Sequence, residues 1–220
     1  MSHHKKFIVV LIALIAVIGY LVFLQIQKMR GIVNTYAETP IVSTVATYIP
    51  IAIGDPSLGN PGAALWIVEF SDLGCARCHE AHYAITKFIK NNPEKARLIW
   101  KDAPVTSFVS MGNLSAHIAA DCAHEQGQFW KFVELTMGKK NNLTEAGLVK
   151  TATALKMDMD KWNTCRASDA AKTKVIESMA LAKAIGVSDL PGIFVNNKKI
   201  NLTSDINIEE LLNKLSTKPE

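Results

Sequence analysis

The residues best equipped for chemistry in this 220-residue chain are Cys75-Ala76-Arg77-Cys78. Two sulfurs at that spacing can form and open a short disulfide. The pair follows an apolar run, Ala64–Phe70 (ALWIVEF), and a Ser-Asp-Leu-Gly turn, and it opens a helix-compatible stretch, Cys75–Asn91. Cys75 is therefore expected at a helix N-terminus, where unpaired N–H groups and the macrodipole favour a thiolate. Arg77 adds a positive charge beside it. On this arrangement Cys75 is the exposed nucleophile and Cys78, one turn on, resolves a mixed disulfide. Three other uses fit the same residues. Cys75-x-x-Cys78-His79 matches a c-type haem attachment pattern. Cys75, Cys78, His79 and His82 could form a Cys₂His₂ zinc set, and the pair could be a static staple. Haem lacks its usual all-helical context and a distal ligand, and zinc would need every ligand from eight residues. A loop this short makes a poor inert staple. Redox exchange is favoured, with no cofactor and no metal.

The elements that must position the pair alternate. Ala64–Phe70 is continuous, β-branched and aromatic, as a buried strand is. Ala96–Lys101 predicts a second strand, and Ser107–Lys183 has helical composition almost throughout, broken near Gly138–Asn142 and Met157–Asp160. Gly192–Asn196 and Lys199–Asn201 flank a turn at Asn197-Lys198, a hairpin signal. Pro191 cannot donate to a ladder, so it belongs at the entry of that first strand. Ile206–Leu215 closes as a helix with Asn207 as N-cap and Glu209 and Glu210 in its first turn. Strand, helix, strand, helical block, hairpin, helix is an α/β layout with a large helical insertion. Within the block, His117 and His124 are expected as surface or packing residues rather than ligands, and Met157 and Met159 as gap-fillers.

Three segments in this order, Asp55–Cys78, Cys122–Trp130 and Gly186–Asn197, resemble the DsbA-like branch of the thioredoxin superfamily over roughly residues 53–215. The resemblance implies an α/β, thioredoxin-like fold with an inserted helical domain and thiol–disulfide exchange on exported proteins. It makes Cys75 the attacking and Cys78 the resolving cysteine, and Pro191 a cis-proline facing them. Leu190 would offer backbone contacts to a substrate peptide. Glu69, six residues before Cys75, would be the buried acid that assists proton movement, with Lys101 of the next strand as its partner; the plainer alternative is an edge-of-strand charge. Cys122 and Cys165, 43 residues apart, would form a structural disulfide, the alternative being two buried free thiols. The sequence departs from the branch at Ala76-Arg77, where Pro and then His or Tyr are usual, and at Leu190, where Val or Thr is commoner. Both positions influence redox poise. An oxidase is favoured, recycled by a membrane redox partner of quinone-linked type. A reductase, or a non-catalytic membrane-tethered peptide-binding module, stands as the alternative.

The ends and the charge place the body. Phe7–Leu24 holds eighteen residues without a charge. At ~1.5 Å per residue that is ~27 Å, near the thickness of a bilayer core. The expected organisation is a cytoplasmic tail (1–6), a transmembrane anchor (7–26), an extracytoplasmic tether rich in Pro and Gly (27–52) and the folded domain (53–220), with the helical insertion at about 105–183. Cleavage after Thr35-Tyr36-Ala37 is the less favoured alternative, the apolar run being long for a signal peptide. The net charge of +4 resides in Lys5, Lys6, Lys28 and Arg30, and from residue 31 onward positive and negative side chains balance. No Lys or Arg occurs from 31 to 76, which suits a translocated segment. A neutral body excludes a nucleic-acid binder, which needs a basic face. The expected location is the inner (cytoplasmic) membrane, single-pass, with the body outside the cytosol.

Overall fold

The computed structural model describes residues 8, 13–27, 42–105, 113–202 and 206–217. The chain divides into two units, Met1–Ile41 and Val42–Glu220. In the first, residues 13–27 form a helix (α1) with exposed Leu14, Ile15, Ile18, Leu21 and Phe23. Among the described residues no helix is long and apolar enough to cross a membrane. Of the expected anchor, residues 7 and 9–12 lie outside the described residues, as do the whole of the expected tail and 28–41 of the tether.

The second unit is built on a six-stranded sheet. Its strands are β1 (Val42–Ala46), β2 (Ser57–Gly59), β3 (Leu65–Ser71), β4 (Ala96–Asp102), β5 (Gly192–Val195) and β6 (Lys198–Ile200), in the spatial order β1-β6-β5-β3-β4-β2. Only β3 and β4 run parallel, joined through helix α2 (Ala76–Asn91). Between β4 and β5 lie α3 (Leu114–His124), α4 (Phe129–Thr136), a 3₁₀ turn (Lys140–Leu143), α5 (Glu145–Ala154), α6 (Met159–Arg166) and α7 (Asp169–Ala184). Helix α8 (Ile208–Ser216) closes the chain, and the Asn207 side chain accepts from the Glu210 N–H at 3.1 Å as its N-cap. Helices thus occupy Leu114–Ala184 of the expected helical block, whose residues 106–112 lie outside the described residues.

Two boundaries differ from expectation. Strand β1 lies inside the expected tether and pairs with β6, and Ile49 is buried, so the folded body starts at Val42 rather than at 53. The hairpin turn falls on Asn196–Asn197, both at positive φ (48° and 63°), one residue earlier than expected. Asn tolerates the left-handed region better than Lys, which instead begins β6.

Side-chain alternation along β3 decides what the site can contain. Leu65 and Ile67 point into the cluster under α2 and α8, with Ile85, Phe88, Leu98, Leu211 and Leu212. Val68 and Phe70 point to the opposite face, with Ile99, Ala182 and Phe194. By the same parity Glu69 belongs to the α2 face. A third cluster fills the helical block around Trp100, Cys122, Phe129, Phe132 and Trp162, and Cys78 is part of it.

Candidate active site at the N-terminus of helix α2

Cys75 is the N-cap of α2, with extended backbone (φ −87°, ψ 121°), and its Sγ accepts the N–H of Cys78 at 3.1 Å. The two cysteines are bridged, with Cα atoms 5.2 Å apart. Cys75 is half-buried and Cys78 fully buried. An incoming thiol therefore meets the Cys75 sulfur, and the Cys78 sulfur stays behind it.

The turn that presents Cys75 is held at nearly every backbone group. Cys75 N–H donates to the Asp72 carbonyl (3.1 Å), Gly74 N–H to Asp72 Oδ1 (2.7 Å), and Gly138 N–H to the Leu73 carbonyl (2.9 Å). Asp72 also accepts from Val105 N–H (2.7 Å) and Asn113 Nδ2 (2.9 Å). A Cβ at position 74 would meet the Asn113 side chain, which would have to move aside. Burial pushes the Asp72 carboxyl up, but its hydrogen bonds, foremost those to His117, Val105 and Gly74, hold it down at about 2.

The Leu190–Pro191 peptide is cis and leads into β5. Arg77 Nη2 donates to the Leu190 carbonyl at 2.6 Å, so the residue between the cysteines is tied to the residue before the cis-proline. Cys75 and Leu190 pack against the same cluster. Beside them a cavity of about 500 Å³ is lined by Pro104, Val105, Met179, Val187 and Leu190.

Glu69 is fully buried, and its Oε2 lies 2.8 Å from His82 Nδ1. Among the described residues its Oε1 has no hydrogen-bond partner. The expected partner, Lys101, is elsewhere: its Nζ meets Asp55 Oδ2 at 2.6 Å. Register explains this, because Glu69 stands beside Trp100, while Lys101 stands beside Phe70 and projects from the other face. The expected edge-of-strand alternative fails too, since β3 lies between β5 and β4. His82 follows Cys78 by four residues, hence on the same helix face; the sequence raised it only as a ligand of the zinc alternative, not as a partner of Glu69.

His117 corrects an expectation. It is completely buried, with Nδ1 2.6 Å from Asp102 Oδ1 and Nε2 3.7 Å from Asp72 Oδ1. Burial opposes its charge, yet Asp102 and Asp72 overcome this and push it up to about 9. Leu73 N–H donates to Nε2 at 3.2 Å. Asp121 is pushed up to about 7 by burial and by Asp102, against the pull of Lys174 Nζ at 2.6 Å. His124, by contrast, packs edge-on against Phe129 as expected.

Cys122 and Cys165 are bridged, with Cα atoms 5.7 Å apart, joining α3 to α6. Among the described residues no group of three or more His, Cys, Asp or Glu is arranged to hold a metal. The four residues of the zinc alternative are engaged separately: the cysteines with each other, His82 with Glu69, and His79 against Gly138.

Comparison with known proteins places this architecture. A thioredoxin-like oxidoreductase from Silicibacter pomeroyi DSS-3 superposes with a TM-score of 0.63 at 24% identity, covering 74% of this chain and 91% of that one. The thiol-disulfide exchange protein alpha-DsbA2 from Wolbachia pipientis gives 0.62 at 19% identity, covering 74% and 88%. The fold is thus thioredoxin-like of the DsbA kind. Among curated proteins, the Na(+)/H(+) antiporter NhaA 3 of Salinispora tropica is 28% identical over 141 residues, 64% of this chain. The chain spans about a fifth of the length of the curated relatives it matches, 21% in that case. The family model for thioredoxin matches residues 52–214. With most of its length inside that match, the chain belongs to the thioredoxin family.

Proposed function

We propose that the protein is a membrane-anchored, extracytoplasmic thiol–disulfide oxidoreductase that oxidises exported proteins through Cys75 and Cys78. The observation that carries this is the placement of Cys75: a half-exposed sulfur at a helix N-terminus, accepting a backbone N–H, in front of a fully buried partner. N–H groups and the helix dipole stabilise the Cys75 thiolate, which makes it both a good nucleophile and a good leaving group.

In the oxidising direction a substrate thiolate attacks Cys75 Sγ. The Cys75–Cys78 bond breaks, its electron pair goes to Cys78 Sγ, and that sulfur takes up a proton. A second substrate thiolate then attacks the substrate sulfur of the mixed disulfide and releases Cys75 as a thiolate. The substrate leaves as a disulfide and the protein as a dithiol, reoxidised by a membrane redox partner of quinone-linked type. Leu190 and Pro191 border the pair and offer backbone groups to the substrate strand, Glu69 serves the proton on Cys78, and Cys122–Cys165 is structural.

The apolar, exposed helix at 13–27 and the charge-free run around it support an anchor. Ion transport, named for the curated relatives, is not carried over, because the match leaves most of their length uncovered.

The test is oxidative refolding of a reduced, disulfide-containing protein by the full chain in detergent solution. Native disulfides should return faster than in glutathione buffer alone, and Cys75→Ser should lose the acceleration. A wild-type chain no faster than buffer would overturn the assignment, and one that only reduces disulfides would make it a reductase.

A further inference from the structure

Exchange moves a proton on and off Cys78, and that sulfur has no contact with water. Leaving it as a bare thiolate among apolar side chains is costly. Its surroundings are the helical cluster with Leu73 and Trp100. One turn along α2, on the same face, is His82, whose ring meets the edge of Trp100 (centroids 5.6 Å) and stacks flat on Trp130 (5.8 Å, 8°). That ring holds Glu69 Oε2 through Nδ1 at 2.8 Å, while Glu69 Oε1 is buried and unpartnered. A buried carboxylate with one oxygen unused is expensive to keep unless it works. Glu69 is wholly enclosed, whereas His82 keeps 8% of its surface exposed. The acid by itself is sealed from water, and the histidine bonded to it is the member of the pair with an outlet.

Charged groups on the neighbouring elements are engaged elsewhere. Lys101 and Asp102 of β4 bind Asp55 and His117, and Arg97 of β4 reaches Ser57 Oγ. Lys87 of α2 pairs with Glu209 of α8 at the surface. On β5 the neighbour of Glu69 is Ile193, which is apolar. Trp130 Nε1 donates to the Ser57 carbonyl, so the stacked ring does not compete for the imidazole nitrogens.

We propose that Glu69 and His82 together hold the proton that Cys78 exchanges, and that His82 is the positioning residue through which this proton reaches solvent. This rests on the assignment of Cys75–Cys78 as the exchange pair. When substrate thiolate displaces Cys78 Sγ, the new thiolate takes the proton shared across Oε2 and Nδ1. Glu69 is left as carboxylate beside a neutral ring, and the ring regains a proton from water. Reoxidation runs the same transfer backwards: Cys78 gives its proton to the pair as its sulfur bonds to Cys75 and the electron pair passes to the oxidant. The flat stack on Trp130 fixes the ring plane, so that Nδ1 stays on Glu69 through the cycle.

The test uses the full chain in detergent solution, oxidised, reacted with dithiothreitol in a pH series, with thiol trapping assigned to Cys75 and Cys78 by peptide mass. After correction for the thiolate fraction of dithiothreitol, the wild-type rate should bend with pH, as a proton-transfer step through the pair requires. His82→Gln keeps a donor for Glu69 but cannot carry the proton. It should flatten that bend and slow the reaction about tenfold at pH 6. A His82→Gln profile that keeps the bend would overturn the proposal. A wild-type chain that fails to exchange would instead overturn the underlying assignment. Should the variant not fold, the wild type decides by ¹⁵N NMR of the histidine rings. The His82 ring N–H should exchange with solvent faster while the chain cycles between disulfide and dithiol than at rest in either form, and an unchanged exchange rate would refute the relay.

Discussion

Cys75–Cys78 closes a three-residue separation at the half-exposed start of a helix, while Cys122–Cys165 ties two helices 43 residues apart, with Cys122 fully buried. The first bridge has polar surroundings: its own N-terminal N–H groups, Arg77, and the Glu69–His82 pair one turn away. The second belongs to the apolar cluster with Phe129, Phe132 and Trp162. A short loop constrains the unfolded chain little and a long one more, so the first bridge costs little to open and the second more. On the proposed function, identical covalent chemistry divides into a reactive couple and a brace according to loop length and local field.

Breaking either bridge tests this division. Cys75→Ser should reduce the rate of substrate oxidation by about 10³-fold or more, since its bridge partner Cys78 is fully buried. Cys122→Ala/Cys165→Ala should leave that rate within about twofold; a loss comparable to Cys75→Ser would erase the distinction. In stability the order reverses. Removing the long bridge should cost about 3–4 kcal/mol by urea unfolding, and removing the short one about 2 kcal/mol. Equal losses would show that loop length is not what separates them.

The charged groups between the two regions predict how pH acts. His117, raised to about 9 by Asp102 and Asp72 against burial, adds stability that is full below its ordinary 6.5 and lost as pH rises through 9. Asp121, raised to about 7 by burial and Asp102, adds stability full below its ordinary 3.8 and lost as pH rises through 7. Asp72, held at about 2 by its hydrogen bonds despite burial, contributes above 3.8 and loses that as pH falls through 2. Urea midpoints should therefore fall from pH 5 to pH 9; a flat or rising series would contradict these charge states. The smallest effect concerns the presenting turn. Gly74→Ala forces the Asn113 side chain aside, and should destabilise by about 1 kcal/mol and slow exchange severalfold without touching the long bridge.

What was legible in the sequence was local. A buried strand, a turn and a helix beginning at Cys75 are contiguous, so the redox pair and its position could be read directly, and Pro191 marked the start of β5. Glu69 was legible as a candidate, but its partner was not. Strand parity puts Lys101 on the opposite face, and deducing this requires the β3–β4 register. His117 looked unremarkable because Asp102 and Asp72 reach it from 15 and 45 residues away. Strand β2 is three residues long and ends at Gly59 with φ 94°, too short for a periodic signal. β1 falls within a β-rich stretch, Ile41–Tyr48, that stands out in the Pro- and Gly-punctuated tether, so the strand was legible while its pairing with β6 was not.

The measurement that tests the central claim most directly is thiol trapping of the full chain equilibrated in glutathione buffers of graded potential, with each cysteine assigned by peptide mass. The account predicts that Cys75 and Cys78 pass reversibly between disulfide and dithiol while Cys122 and Cys165 stay bridged throughout. Opening of Cys122–Cys165 first, or a Cys75–Cys78 bond that never cycles, would contradict it.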